Sequence, residues 1–194
     1  MYMLVIGNGE SRKKIDIKKI PQIKIGCNAI FRDYTMDHLI CCDRKMLMEA
    51  NNIVDSNRTK IYTRTEYSNQ NFLPLPQLPY KGLDRADQSM HWGSGPYAVL
   101  LATQLNTQNE TINLVGFDLY GMGEKTNNVY KDTSNYKKSS ERAVDPRYWI
   151  YQLGKIFELN QNMKFVCFHS KSFIKPTQWN YTNLEYKSLT NLSQ

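Results

Sequence analysis

Histidine is scarce in this chain: only His38, His91 and His169 occur among 194 residues. The four cysteines, Cys27, Cys41, Cys42 and Cys167, form no Cys-x-x-Cys pair and share no ligand spacing with a histidine, which argues against a zinc-finger or zinc-ribbon pattern. Buried free thiols in a reducing compartment are the simplest reading. No apolar run approaches the ~20 residues that a membrane-spanning helix needs. The chain opens on a strand rather than a leader peptide, so a cytoplasmic location is expected, without a membrane span. Acidic residues are outnumbered, 18 to 25, and the formal net charge is +7. The basic residues are nevertheless scattered. Their densest group, Arg12, Lys13, Lys14, Lys18, Lys19 and Lys24, lacks any RNA-binding aromatic motif and reads as a solvated face, so no nucleic-acid partner is expected. Internal repeats and interdomain linkers are missing too, and one domain spanning 1–194 is expected.

What is present is enough for a core: 41% hydrophobic and 22% charged residues. Tyrosine, at 13, suits half-buried pocket walls. Short apolar runs at 2–6, Ile23–Cys27, 39–42, Lys60–Thr63, Ile112–Val115 and 165–168 read as strands buried on both faces. Helices are predicted at 44–51, at Ser94–Leu105 with Pro96 in its first turn, and at 148–161. Strands alternating with helices specify an α/β fold: a mainly parallel, Rossmann-like sheet with helices on both faces. Three stretches resist assignment: an irregular loop at 66–92, a polar insert at 121–144 that is too long for a connector, and a polar tail at 170–194.

In open parallel sheets ligands bind beyond the carboxyl ends of the strands. The candidates are therefore Gly7, Asn8, Gly9 and Ser11 after the first strand, Asn28 after the second, Asp43 after the third, and Asp118 and Tyr120 after the strand at Ile112–Val115. Gly7-Asn8-Gly9 can bring bare backbone close to an anion. It matches only the start of a dinucleotide fingerprint, because Arg12 replaces the third glycine and Asn28 stands where a ribose-binding acid belongs. Gly93-Ser94-Gly95-Pro96 opens the best helix; Ser94 is placed to cap it, and free N–H groups there attract a phosphate or carboxylate. The full nucleophile-elbow pattern is missing. Of the histidines, His91 precedes this anion site and is the best catalytic candidate, His169 ends a strand, and His38 is structural.

These segments resemble the bacterial sialyltransferases of glycosyltransferase family 42. Gly7-Asn8-Gly9-Glu10-Ser11, then Ile15-Asp16 and Ile20-Pro21, resembles that family's Gly-Asn-Gly-Pro-Ser opening; Cys27-Asn28 is similar to its Cys-Asn. Gly93-Ser94-Gly95 resembles its Thr-Ser-Gly segment, and Ile112 to Tyr120 its strand ending in Gly-Ile-Asp-Phe-Tyr. Order and spacing agree over roughly the first 130 residues, and similar segments recur in pterin pyrophosphokinase-like proteins. The resemblance implies a CMP-sugar donor and a glycan acceptor, with sialic acid transferred from CMP-sialic acid and no metal or other cofactor required. It implies that Asn8 and Asn28 contact the nucleotide, that Ser94 and Gly95 hold the donor near its phosphate or carboxylate, and that Tyr120 and Tyr130 hydrogen-bond the leaving phosphate. Four positions depart from the pattern. Glu10 replaces a proline, Asp43 an asparagine and His91 an arginine, and no counterpart of the family's Tyr-x-x-His base occurs at 142–148. The base then falls to His91, Asp145 or Asp118. Otherwise the chain is a non-catalytic nucleotide-binding relative, or a pyrophosphokinase-like transferase using Mg²⁺ on Asp43, Asp118 or Glu10. A homo-oligomer is left open.

Overall fold

The structure is a computed structural model that describes residues 2–108 and 110–192. Its centre is one parallel sheet of eight strands: β1 (Met3–Ile6), β2 (Ile23–Cys27), β3 (His38–Ile40), β4 (Lys60–Thr63), β5 (Leu73–Pro74), β6 (Ile112–Val115), β7 (Phe165–His169) and β8 (Leu184–Ser188). Their spatial order is β5-β4-β3-β2-β1-β6-β7-β8. The chain starts in the middle, steps outward from β1 to β5, then returns to β1's other side and steps outward again. Right-handed crossovers place the connections of the two halves on opposite faces of the sheet.

The strands obey the two-residue alternation of a sheet covered on both sides. Val5, Ile25, Ile40, Leu114 and Cys167 enter one core, and Leu4, Ile6, Leu39, Val115 and Val166 the other. Helix α1 (Arg44–Ile53) covers the second core with Met46, Leu47 and Ala50. Helices α2 (Ser94–Leu105) and α3 (Arg147–Leu159) cover the first. The neighbours Cys41 and Cys42 fall into opposite cores. All four thiols are free and buried. The structure is thus the α/β, Rossmann-like arrangement that the sequence predicts.

Two strands were not foreseen. β5 is a two-residue edge inside the irregular loop, and β8 lies in the polar tail, where Glu185 pairs with Lys164 and Lys187 on the outer edge. Charged edge strands lack the apolar signature of interior ones and are protected from further pairing by that charge. The insert is tied down rather than loose. Val129 N–H donates to Asn8 O at 2.8 Å, and Arg32 grips Glu49, Thr133 Oγ1 and Ser134 O. Arg12, only 2% exposed, donates to Tyr130 Oη at 2.7 Å and packs against the Tyr130 and Tyr34 rings.

At the centre, β1 and β6 end on interlocked glycines. Gly7 N–H bonds Val115 O and Gly9 N–H bonds Gly116 O, each at 2.8 Å. A Cβ on Gly7 would lie 2.5 Å from Gly116 O, and one on Gly116 would lie 2.6 Å from Gly7 O. Gly116 also has φ +69°, which disfavours any side chain. Gly116→Ala should therefore cost more than about 1 kcal/mol in chemical denaturation. Gly123→Asn, also at positive φ but with nothing within 4 Å, should stay within about 0.5 kcal/mol of the parent. Equal losses in both would remove the steric account.

Candidate functional site

The reversal of strand order between β1 and β6 splits the loops above the sheet and leaves a crevice at the strands' carboxyl ends. A cleft of about 320 Å³ lies there. Five of the eight strand ends contribute to it: Asn8 from β1, Asn28 from β2, Asp43 from β3, Arg64 from β4 and Asp118 from β6. The start of α2 closes one side, Trp149 of α3 overhangs it, and Asn127 and Asn128 of the insert form a rim.

The start of α2 is uncapped by any side chain: its N-cap is Gly93. Ser94 does not cap, contrary to the expectation from sequence. It is the first helical residue, and its hydroxyl instead donates to Asn28 Oδ1 at 2.9 Å and accepts from Cys42 N–H at 3.3 Å. This bridge joins β2, β3 and α2. It is possible because Asn28 takes a left-handed conformation, φ 51°, which asparagine tolerates better than most residues. Among the described residues no acceptor meets the N–H groups of Ser94 and Gly95, and Pro96 has none to offer. Gly93 lies close against the Trp149 indole, since a Cβ there would come within 2.9 Å of Trp149 Nε1. Arg64 donates to Ser89 O and Met90 O at 3.1 and 3.0 Å, which fixes its guanidinium on the cleft wall. The result is a concentration of N–H donors at a positive helix end, suited to a phosphate or carboxylate.

Several expected site residues are committed to structure. Asp118 Oδ2 accepts from Ser11 N–H at 2.9 Å and Oδ1 from Ser11 Oγ, holding the turn after β1. Asn8 Nδ2 donates to Cys27 O at 3.0 Å, while its Oδ1 is buried and meets no donor among the described residues. Gly7 and Gly9 line the cleft, but their missing side chains are demanded by β6. Glu10 turns to Lys13 and Lys131; burial alone would raise its pKa, and the two lysines outweigh it and hold the carboxyl below the usual range.

Four expected residues lie off the cleft wall. His91 accepts from Arg85 Nε at 3.1 Å and packs edge-on to Tyr148. Asp145 is exposed and paired with Arg147. Tyr130 is 4% exposed, and its hydroxyl donates to Asp33 Oδ2 at 2.6 Å while accepting from Arg12. Burial and the bond to Asp33 push its pKa well up. Tyr120 lines a neighbouring cleft instead. Arg64 and Trp149 are among the lining residues that the sequence does not single out. Arg64 directly follows β4 and could have been found by the same strand-end rule. Trp149 had no signal, because only the return of α3 over α2 brings it in.

Among the described residues, no three of His, Cys, Asp or Glu gather as metal ligands, and no helix is long and apolar enough to cross a membrane. Compared with known proteins, the chain matches no family model, no curated protein and no solved structure.

Cys27 and Cys42 lie on the cleft floor, where burial pushes their pKa values up to about 12 and about 11. Both are neutral thiols at pH 8. A thiol-specific disulfide reagent at pH 8 should leave all four cysteines unreacted over minutes in the folded protein and titrate four after denaturation. Rapid native labelling of Cys27 or Cys42 would contradict this reading of the floor.

Proposed function

We propose that the cleft binds a nucleotide sugar through its phosphate, and that the protein is a nucleotide-sugar-dependent glycosyltransferase. The observation that carries this reading is the donor array at the switch point: the uncapped start of α2, Arg64 and the Trp149 indole, all on one cleft. A phosphodiester seated there would meet charge-assisted hydrogen bonds. Charge developing on a departing nucleotide phosphate would be stabilised by the same groups. Asn28 and Asp43 offer amide and carboxylate partners for the ribose and base. CMP-sialic acid is the donor that the sequence resemblance favours. Of the three candidate bases, Asp118 alone lines the cleft.

A second reading, a nucleotide-binding relative without turnover, is favoured by the commitment of Asp118 to Ser11 and by the distance of His91 and Asp145 from the cleft wall. Incubation with CMP-sialic acid and a mixture of glycan acceptors separates the two: a sialylated product supports the transferase, and tight binding without product supports the relative.

CMP at a hundred times its Kd should add about 2.7 kcal/mol of stability and raise Tm by roughly 5–10 °C. Cytidine should do much less, because it lacks the phosphate. Trp149→Phe, which removes one N–H donor, should weaken CMP several-fold, and Arg64→Gln about tenfold or more. Equal shifts from cytidine and CMP, or none from CMP, CDP and CMP-sialic acid, would refute the phosphate-seating model.

A further inference from the structure

Gln152 of α3 is a polar side chain with no exposed surface, 0%. Burying an amide is unfavourable unless its polar atoms are paired. Here both the amide nitrogen and the amide oxygen are. Nε2 donates to His91 O at 3.0 Å and reaches Ala86 O at 3.5 Å, and Oε1 accepts from Gly93 N–H at 3.4 Å. All three partners are backbone groups of the segment 86–93, which runs directly into the start of α2. One position earlier on α3, Tyr151 Oη donates to Asp87 Oδ1 at 2.7 Å. Trp92, buried against Tyr97, plugs the segment into the core. The segment lies in the loop that the sequence leaves irregular, yet it is fastened to α3 near both of its ends.

This segment carries the support of Arg64. Ser89 O and Met90 O accept from its two terminal nitrogens, and His91 O, the next carbonyl along, is the one that Gln152 holds. Three successive carbonyls are thus divided between the guanidinium and Gln152. From α2, Tyr97 Oη also donates to Ser89 O, at 3.2 Å. A guanidinium has five N–H groups. Two are spent on the carbonyls, which leaves three for a ligand in the cleft that Arg64 lines. The placement of Arg64 relative to the N–H groups of Ser94 and Gly95 therefore depends on one segment, and that segment depends on α3. Hydrogen bonds weaken steeply with misalignment, so a seat made of two separate parts needs such a strut.

We infer that Gln152 is the positioning residue of the phosphate seat: by holding the 86–93 segment it sets the Arg64 guanidinium and the start of α2 at the spacing of one phosphate group. This rests on the phosphate-binding reading of the first cleft. Gln152 touches no ligand itself, because it is wholly buried behind the segment. The consequence is selective. Asn8 is held by Cys27 O and by Val129 of the insert, and Asp43 follows β3; neither bonds to the segment. Loosening the segment therefore displaces the groups that meet phosphate and spares the far side of the cleft. A purely structural glutamine would instead affect a nucleoside and its phosphate ester alike.

The test uses the full chain, with CMP and cytidine as probes in calorimetric titrations. Gln152→Met keeps the length of the side chain and removes all of its hydrogen bonds. It should lower the ratio of CMP to cytidine affinity about fivefold or more, with cytidine itself unchanged to within about twofold. Tryptic cleavage after the exposed Arg85 should quicken about tenfold, since the segment opens more often. Tyr151→Phe, at a half-buried position, removes only the bond to Asp87 and covers the case in which Gln152→Met fails to fold. It should move the ratio and the cleavage rate in the same directions, by about threefold. Gln161→Ala, beyond the other end of α3, should change neither. An unchanged ratio in a folded variant whose wild type prefers CMP, or an equal loss of CMP and cytidine, would overturn the inference and leave the phosphate reading standing. No preference for CMP over cytidine in the wild type would remove the phosphate reading itself, and with it this role of Gln152, even if both variants are cleaved faster.

Discussion

The meeting of β1 and β6 governs the rest of the molecule. The chain reverses direction across the sheet at this point, so the two strands must pair although more than 100 residues separate them. Their pairing continues past the last regular residue, through Gly7, Gly9 and Gly116, with no room for a side chain on any of the three. That close approach brings Asp118 against the turn at Ser11, and the carboxylate takes both N–H and hydroxyl. Everything above the sheet is then placed relative to this seam. The two clefts lie on its two sides, and Asp118 forms part of the wall between them.

A second constraint comes from the polar insert. Its apolar content is low, and it is held to the domain by aromatic rings and buried charge rather than by a core of its own. Arg12 and Arg32 both contact the ring of Tyr130, and Tyr136 Oη accepts from Ala29 N–H at 3.3 Å. A buried arginine is tolerable only with such partners. By anchoring the insert on the α1 face of the sheet, these contacts hold Asn127 and Asn128 at the rim of the first cleft. The two arginines therefore shape the site without lining it.

The chemistry of the first cleft follows from unspent donors. The sheet satisfies its own backbone, and most side-chain amides near the strand ends are occupied. What remains is the start of α2, where four N–H groups per helix necessarily lack intrahelical partners. Proline removes one of them, Ser94 spends its hydroxyl on Asn28, and glycine at the cap offers no side chain. The sequence Gly-Ser-Gly-Pro thus leaves a bare positive helix end, and Arg64 and Trp149 converge on it from elements that follow different strands.

How much of this was legible in the sequence depended on range. Interior strands and helices were legible because burial on both faces and on one face leave local periodic signals. Strand-end logic also placed Asn8, Asn28, Asp43, Ser94, Gly95 and Asp118 on one cleft, since a parallel sheet gathers its carboxyl ends at one edge. The edge strands β5 and β8 were not legible, because solvent on one side erases the apolar pattern. Neither were the partners that occupy a side chain: Tyr130 spent on Arg12 and Asp33, Asp118 on Ser11, His91 on Arg85. Those bonds join residues up to 118 positions apart. By itself the sequence determined the sheet, its cores and the edge at which the cleft opens, because these depend on the period and order of residues along the chain. The tertiary structure alone decided which donors stay free and which groups face the cleft, because hydrogen-bond partners are chosen by distance in space.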